Sequence, residues 1–450
     1  MELNKIYHGN NLDILKTFPD NSIDSIVTDP PYGLGKEPNA VEVLQSWITT
    51  GYHEIIGKGF MGKEWDSFVP QPIFWKECLR VLKPGGYLLS FAGTRTYDWV
   101  VMGLRLSGFE IRDMIAWLYG QGFPKSHDVE KAINKMDGVE FDSKPASGVG
   151  FMKPDSEDWH QTKNQLTQKG ESSDRAKQWQ GYGTALKPAL EPIVMARKPL
   201  IGTVASNVLK YGTGGINIDG CRVGTEEINI HNAPKGTFAG GESGRGSDTE
   251  SYRDSLGRFP ANLIHDGSAE VVEGFPSEAG GGLRNSSNNK KTEYTNTYTP
   301  NEAQYSELNT YGDSGSAARF FYTPKASQSE RNFGLSGFES KFTAAAEFRP
   351  NHMEKAIDGE SGNPFGRWQP KKNIHPTVKP IDLMQYLVRL VTPRGGICLD
   401  PFMGSGTTAV ACKSEKVNYI GCELEQDYIN IAEARIKAEV VMFDIFDFGA

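Results

Sequence analysis

The residues with the most evident chemistry stand near the start of the chain, in Asp29-Pro30-Pro31-Tyr32. The Asp29 carboxylate and the Pro30 carbonyl are acceptors, and two acceptors aimed at the hydrogens of an exocyclic amine would localise its delocalised lone pair. The prolines stiffen the turn and add no competing donor. Tyr32 offers a flat face on which an extruded nucleobase can stack. The segment therefore indicates a clamp for a base amine; the plainer alternative is a proline turn after a strand.

A second segment of this kind lies near the other end of the chain, at residues 400–408. Its glycines let the backbone approach a ligand closely, and the start of a helix supplies free N–H groups. It has neither the lysine ending of a phosphate loop nor the spacing of a dinucleotide loop. Glu423 ends the next expected strand, where a carboxylate can accept from both ribose hydroxyls or remain a solvated charge. A nucleoside-like cofactor would be held by Asp400, Phe402, Gly404, Gly406, Thr407 and Glu423.

The Asp-Pro-Pro-Tyr and Asp-Pro-Phe-x-Gly-x-Gly-Thr-Thr strings resemble the motifs of amino-group DNA methyltransferases, in the permuted order of the beta class. That resemblance implies S-adenosylmethionine as the cofactor, double-stranded DNA as the partner, base flipping and direct attack by the amine. The catalytic residues would be Asp29, Pro30, Pro31 and Tyr32. Asp in the first position resembles adenine-N6 enzymes more than cytosine-N4 enzymes, which usually carry Ser. We therefore expect adenine-N6 methylation; cytosine-N4 methylation and a non-catalytic DNA-binding protein are the alternatives.

Two further segments resemble cofactor elements of the same family. Residues 375–380, His-Pro-Thr-Val-Lys-Pro, match its His-Pro-x-x-Lys-Pro element, which implies that Thr377 and Lys379 meet the methionine carboxylate of the cofactor. A rigid start to the following helix is the alternative. Residues 8–13 resemble the element at the cofactor adenine, where Asn10 and Asn11 are the candidates. The family usually has Asp where this chain has Asn10, and an amide can still accept from an adenine amino group.

The chain alternates apolar, β-branched runs with helical periodicity, which predicts an α/β fold. The resemblance specifies a Rossmann-like, doubly wound, mostly parallel sheet with a large irregular recognition region inserted. Strands are expected at residues 23–28, 87–91, 109–117, 192–197, 397–399 and 418–422. Helices are expected at residues 71–82, 96–106, 380–391, 407–412 and 426–440.

The motifs divide the chain into catalytic and inserted parts. The catalytic parts are residues 1–125 with the clamp, 185–200 with one sheet strand, and 370–440 with the cofactor loop; the others are a polar insertion at 126–184, a target-recognition region at 201–369 and a tail at 441–450. Residues 275–315 are either loop-rich or order on DNA. Phe123 is either a second stacking face or a turn anchor. Five basic residues are either contacts to DNA phosphates or simple surface charges: Lys36, Lys58, Lys63, Arg95 and Lys125.

Composition narrows the class of protein less than the motifs do. The net charge is −8, which neither supports nor excludes DNA, because DNA responds to the local face of a protein. The five cysteines have no zinc spacing, so no metal site is expected. No signal-like start or membrane-length apolar run is visible, so a cytoplasmic protein of a bacterium, archaeon or phage is expected, without a membrane partner. A homodimer and a separate restriction endonuclease are partners that the family often has.

Overall fold

The computed structural model describes residues 1–55, 66–120, 122, 126–139, 171–228, 255–277, 316–324, 330–340 and 372–447. Four residues named above lie outside this part of the chain: Lys58, Lys63, Phe123 and Lys125. Most of the polar insertion, much of the expected recognition region and the whole of 278–315 also lie outside it.

A mixed sheet of eight strands forms the centre of the described structure, in the order β1-β10-β9-β2-β3-β5-β4-β8. Only β5 runs antiparallel to its neighbours. The strands are β1 (Lys5–His8), β2 (Ile23–Thr28), β3 (Leu82–Phe91), β4 (Glu110–Leu118), β5 (Leu190–Arg197), β6 (Val223–Ile228), β7 (Ser255–Arg258), β8 (Leu263–His265), β9 (Ile397–Asp400) and β10 (Asn418–Glu423). β6 and β7 pair separately as an antiparallel ribbon. The mostly parallel α/β sheet expected from the sequence is thus present.

Helices cover both faces of the sheet. They are α1 (Asn11–Lys16), α2 (Ala40–Thr49), α3 (Pro72–Val81), α4 (Tyr97–Leu106), α5 (Val129–Met136), α6 (Asp174–Lys177), α7 (Val204–Tyr211), α8 (Ala269–Val272), α9 (Ile381–Val391), α10 (Thr407–Ser414) and α11 (Gln426–Asp447). One apolar core joins the sheet to α9 and α10, and a second joins it to α1, α2, α3 and α4. All six residues of β2 are buried, as in a parallel strand covered on both faces.

The sheet brings the sequence motifs to one edge. β1, β10, β9, β2 and β3 are all parallel, so their carboxyl ends lie at the same edge. β9 continues through α10 to β10 on one side, whereas β2 continues to β3 on the other. The chain therefore reverses its direction of winding between β9 and β2, and a crevice at such a switch point is where open α/β sheets bind ligands.

Every predicted strand and helix is present among the described residues; β2 has the predicted bounds, and each of the others differs at one end or both. Residues 83–86 lie between the predicted helix at 71–82 and the predicted strand at 87–91, yet they belong to β3, which begins at Leu82. Gly85, with φ of +80°, forms an irregularity inside the strand. The helix expected to end at residue 440 continues to Asp447. Four strands were not predicted: β1, β6, β7 and β8. β1 is short and at the edge, and β8 lies inside the expected recognition region yet extends the main sheet next to β4.

Two kinds of feature are absent from the described residues. Among them, no helix is both long and apolar enough to cross a membrane. Within the same residues, no group of three or more His, Cys, Asp or Glu side chains is arranged to hold a metal ion.

The irregular start of β3 depends on one buried amide, Asn207. Its Nδ2 donates to the carbonyls of Pro84 and Thr213 at 2.8 Å each, and its Oδ1 accepts from Ile201 N–H at 3.0 Å. We predict that Asn207→Ala lowers the free energy of unfolding by about 1–3 kcal/mol, because three buried backbone groups lose their partner. Leu209→Ala is the control: Leu209 is 88% exposed on the same helix, so its loss should cost under about 0.5 kcal/mol. Equal unfolding midpoints in denaturant would contradict this role for Asn207.

Candidate active site

The two motifs are joined by a hydrogen bond between adjacent strands. Thr28, the last residue of β2, donates from Oγ1 to Asp400 Oδ1 at 2.6 Å. The same carboxylate accepts from Phe402 N–H at 3.0 Å and from Thr408 Oγ1. Burial raises the pKa of Asp400 to about 6, although these three hydrogen bonds favour the charged form. Asp400 therefore fixes the cofactor loop to the strand that carries the clamp.

Neighbouring elements hold the backbone of the clamp in place. Thr96, which precedes α4, donates from Oγ1 to the Tyr32 carbonyl at 2.6 Å. Gly33 N–H donates to Asp66 Oδ1 at 3.3 Å. A Cβ on Gly93 would meet the Tyr32 side chain at 3.4 Å, so the end of β3 lies directly against the ring. The turn after β2 is thus positioned by β3 and α4.

The side chains of the clamp meet a buried lysine. Lys379 Nζ lies 2.8 Å from Asp29 Oδ2, 3.1 Å from Glu191 Oε2 and 3.0 Å from Tyr32 Oη. Tyr32 donates its hydroxyl hydrogen to Glu191 Oε2 at 2.9 Å. Nζ also lies 4.8 Å from the centre of the Phe91 ring. Four side chains from three separate stretches of the chain therefore form one network, which we call the clamp network: Asp29, Tyr32, Glu191 and Lys379.

Burial and charge set the protonation of the clamp network. Only 8% of the Lys379 side chain is exposed, against 17% for Asp29 and 20% for Glu191. Burial opposes the charge on Lys379, but the two carboxylates outweigh it and raise its pKa above the ordinary value. Burial, and then the charges of Asp29 and Glu191, raise the pKa of Tyr32 well above normal. The network therefore carries one positive and two negative charges at neutral pH.

One carboxylate oxygen of the clamp lacks a hydrogen-bond partner among the described residues. Asp29 Oδ1 is buried, and no donor among the described residues makes a hydrogen bond to it. A buried acceptor without a partner costs free energy, so such atoms usually meet a ligand or a bound water. Since Oδ2 of the same carboxylate is held by Lys379, Oδ1 is the atom that Asp29 presents to a ligand.

The cofactor loop is built around two crowded glycines. Gly404 has φ of +53°, and a Cβ there would come within 2.7 Å of His375 Nε2. Gly406 has φ of +82°, and its Cβ would meet Ala432 of α11 at 2.7 Å. His375 Nδ1 lies 2.8 Å from the Thr377 carbonyl, to which it donates as a neutral ring. Burial lowers the pKa of His375 to about 4, so the ring is neutral near pH 7.

Two arginines, the buried Arg435 and the half-buried Arg331, support this loop and the neighbouring 375–380 segment. Arg435 of α11 is fully buried, and its Nη1 donates to the Ser405 carbonyl at 2.7 Å and to Thr407 Oγ1 at 3.0 Å. Burial lowers the pKa of Arg435 to about 10. Arg331 Nη2 donates to the Pro376 carbonyl at 2.9 Å, which ties residues 330–340 to the segment before α9. The loop and the 375–380 segment are therefore held rigidly against one another.

A family model described as DNA methylase, of the N6 and N4 type, matches residues 23–236 and 247–434. The chain belongs to this family. The resemblance inferred from the two motifs is thereby confirmed, and with it S-adenosylmethionine as the cofactor.

Curated relatives of this DNA methylase match it over short segments. Type II methyltransferase M2.DpnII of Streptococcus pneumoniae is 41% identical over 87 residues, which is 19% of this chain and 31% of that protein. Type II methyltransferase M.HpaI of Haemophilus parainfluenzae is 31% identical over 107 residues, 22% of this chain and 34% of that protein. The matched segments thus span about a third of these relatives.

Two solved structures are similar over most of the chain at low identity. PvuII DNA methyltransferase, titled cytosine-N4-specific, aligns at 13% identity and a TM-score of 0.41, covering 98% of this chain and 91% of that one. The M1.HpyAVI–SAM complex aligns at 15% identity and a TM-score of 0.35, covering 96% and 98%.

The residues present in the DNA methylase fit a nucleoside cofactor at this edge. Glu423 ends β10; its Oε2 accepts from Gly404 N–H at 2.8 Å, and its Oε1 accepts from Leu424 N–H at 2.8 Å. Asn11 Nδ2 donates to the Pro401 carbonyl at 3.0 Å, so α1 lies against the loop. Asn10 Oδ1 caps α1 by accepting from Leu12 N–H at 2.9 Å. That oxygen is already engaged, so an additional role at the cofactor adenine stays a prediction.

The structure brings nearly all the predicted site residues of the DNA methylase to one edge of the sheet. Those that follow β1, β2, β9 and β10 are Asn10, Asn11, Asp29, Pro30, Pro31, Tyr32, Asp400, Phe402, Gly404, Gly406, Thr407 and Glu423. Thr377 is exposed beside His375. Lys379 differs from its expected place: its ammonium contacts the clamp instead of facing the loop. Sequence reasoning missed Glu191, whose only signal is a charged residue at the start of a buried apolar strand.

Gly404 offers a test of the cofactor loop in the DNA methylase. Gly404→Ala should weaken S-adenosylmethionine binding on the order of tenfold or more, because a positive φ costs about 1–2 kcal/mol and the methyl would collide with His375. Gly395→Ala is the matched control: Gly395 also has a positive φ, of +69°, but nothing lies within 4 Å of its Cβ position. It should lose some stability and keep its cofactor affinity. Equal affinities of the two variants in calorimetric titration would contradict the proposed crowding.

Proposed function

We propose that the chain is a site-specific DNA methyltransferase that transfers a methyl group from S-adenosylmethionine to the exocyclic N6 of adenine in duplex DNA. The observation that carries the proposal is the buried Asp29 Oδ1, which has no hydrogen-bond partner among the described residues and lies beside Tyr32, at the same edge as the loop of Gly404. An acceptor in this position suits an N–H of a base amine. Asp in the first position of the clamp favours adenine over cytosine by resemblance alone.

The reaction depends on holding the amine. When bound, S-adenosylmethionine supplies an activated methyl group on a sulfonium, whose sulfur leaves with the electrons of the broken carbon–sulfur bond. Asp29 Oδ1 and the Pro30 carbonyl accept from the two amine hydrogens and turn the nitrogen lone pair toward that methyl. Tyr32 stacks on the extruded base and fixes its plane. The rate enhancement comes mainly from this alignment.

The net charge of the clamp network also suits the shift of positive charge that accompanies methyl transfer. As the carbon–nitrogen bond forms, the positive charge passes from sulfur to the target nitrogen, next to the Asp29 carboxylate. A site with one lysine and two carboxylates has a net charge of about −1, which stabilises a cation formed beside it. One proton of the methylated nitrogen then leaves along its hydrogen bond to Asp29 or to the Pro30 carbonyl, and passes to solvent.

The cofactor would be held by the residues of the loop and its neighbours. We propose Asp400, Phe402, Gly404, Gly406 and Thr407 for the methionine end, with Thr377 beside it. Glu423 would serve the ribose and Asn10 and Asn11 the adenine side. Double-stranded DNA would lie across the same edge, where Lys36 and the exposed Arg95 follow the clamp and β3. Because the curated relatives carry Type II names, we propose a restriction-modification setting with a separate endonuclease, and a homodimer as in related enzymes.

The first test identifies the product. Unmethylated DNA incubated with radiolabelled S-adenosylmethionine and digested to nucleosides should yield N6-methyladenine. If N4-methylcytosine is the sole product, the target is cytosine N4 and the proposed adenine N6 is wrong. Tight cofactor binding with no transfer to any DNA sequence would instead favour a non-catalytic DNA-binding protein.

The second test concerns Asp29. Asp29→Ala should reduce methyl transfer by about 10²-fold or more, because the amine loses one of its two acceptors, while cofactor affinity stays near the wild-type value. Asp20→Ala is the control, since Asp20 is 68% exposed and pairs with Arg80 before β2. Its transfer rate should be unchanged. A fully active Asp29→Ala variant would remove the basis of the proposal.

A further inference from the structure

The ammonium of Lys379 is fully committed within the clamp network. It has three hydrogens, and its three acceptors are Asp29 Oδ2, Glu191 Oε2 and Tyr32 Oη, all at 2.8–3.1 Å. Lys379 thus contacts both side chains of the clamp that act on the base, Asp29 and Tyr32, and Glu191 contacts Tyr32 and Lys379. Glu191 belongs to β5, and Lys379 stands just before α9.

We propose that Lys379 and Glu191 are a positioning pair for the methyl transfer: together they hold Asp29 by Oδ2 and Tyr32 by its hydroxyl, so that Asp29 Oδ1 faces the target amine. The inference rests on the proposed function and deepens it. It assigns Lys379 to the base and not to the cofactor carboxylate that the sequence resemblance implied. It also assigns a role to Glu191, which no sequence motif contains.

Geometry favours this assignment over a cofactor contact. A lysine that meets a cofactor carboxylate needs at least one hydrogen for it, and Lys379 has none left without breaking a contact in the clamp. Its side chain is 8% exposed and its Nζ lies over the Phe91 ring, on the clamp side of the sheet edge. The loop faces a different group, the neutral imidazole of His375 next to Gly404.

The charges of the pair explain why both partners are needed. Asp29 and Glu191 both approach Lys379 Nζ within about 3 Å, so without the lysine two buried carboxylates would face each other. Two carboxylates in that position repel each other, and a proton shared between them relieves the repulsion. A protonated Asp29 accepts poorly from an amine. The other titratable groups around Lys379 are Tyr32, Tyr119 and His375.

The experiment compares four variants with the wild type. Lys379→Met removes the cation and leaves a network charge of about −2; Glu191→Gln keeps the shape of its side chain and leaves about 0. The double variant Lys379→Met with Glu191→Gln returns to about −1. Lys210→Met is the control, because Lys210 is exposed on α7, at the opposite edge of the sheet. For each variant, cofactor affinity, kcat at saturating DNA and cofactor, and the pH dependence of kcat are measured.

The positioning pair predicts a specific pattern. Lys379→Met should bind S-adenosylmethionine within about twofold of wild type, but lose about 10²-fold in kcat, with kcat rising as the pH increases and the shared proton leaves. The double variant should recover about tenfold of that loss and lose the pH dependence. Glu191→Gln, the variant least expected to disturb folding, should lower kcat by about tenfold at unchanged cofactor affinity, and Lys210→Met should match wild type.

Three results would overturn the proposal. The first is a tenfold or greater loss of cofactor affinity in Lys379→Met with normal kcat at saturation, which would make Lys379 a cofactor ligand. The second is wild-type kcat in both single variants. The third is a double variant whose kcat is no higher than that of Lys379→Met, when both variants also have the pH profile of the wild type. Lys379 and Glu191 would then have a purely structural role. A wild-type chain that transfers no methyl to DNA refutes the proposed function instead; the pair is then judged by whether Lys379→Met alone loses thermal stability as pH rises.

Discussion

The structure depends on the parallel pairing of β2 with β9, which is secured at its carboxyl end by the hydrogen bond from Thr28 to Asp400. β2 ends in the clamp and β9 ends in the cofactor loop, although the two strands are separated by most of the chain. Their register decides whether Asp29 and Gly404 open into the same crevice, because a slip of one residue would turn each side chain to the opposite face. The Asp400 carboxylate is nearly inaccessible to water, and its two threonine partners and the loop N–H fix both motifs at once.

Around this pairing, the site is assembled from charges that the fold removes from water. One buried lysine serves two carboxylates, and the surplus negative charge lies where a methylated amine would become positive. The cofactor side is organised differently. A neutral histidine, a fully buried arginine and two glycines with positive φ shape the loop by close contact. Charge interactions thus position the clamp, whereas close packing shapes the loop. Their common support is the 375–380 segment, which lies against Gly404 with His375 and against Tyr32 with Lys379.

The sequence was sufficient for the parts of the fold and site that are local. The apolar run at 23–28 is β2 without change, and the glycine loop and its helix follow β9 as expected. The sequence did not reveal features that depend on contacts between distant parts of the chain. The contacts of Lys379 depend on how β2, β5 and α9 converge in space, which the local sequence does not show. The motif around Lys379 therefore indicated only a cofactor contact and gave no sign of Glu191. β1 and β8 are too short for periodicity to reveal. Gly85 and Gly86 interrupt the regular pairing of β3, yet backbone hydrogen bonds to Lys198 keep both glycines in the strand.

The central claim is that one crevice between β2 and β9 holds both the target amine and the methyl donor. A crystal structure of the chain with duplex DNA and a non-reactive analogue of S-adenosylmethionine would test it most directly. We expect an extruded adenine stacked on Tyr32, its amine within about 3 Å of Asp29 Oδ1, and the analogue along the loop of Gly404 with its methyl-donor side facing that nitrogen. An analogue bound elsewhere, or an extruded base that lies away from Tyr32, would contradict the account.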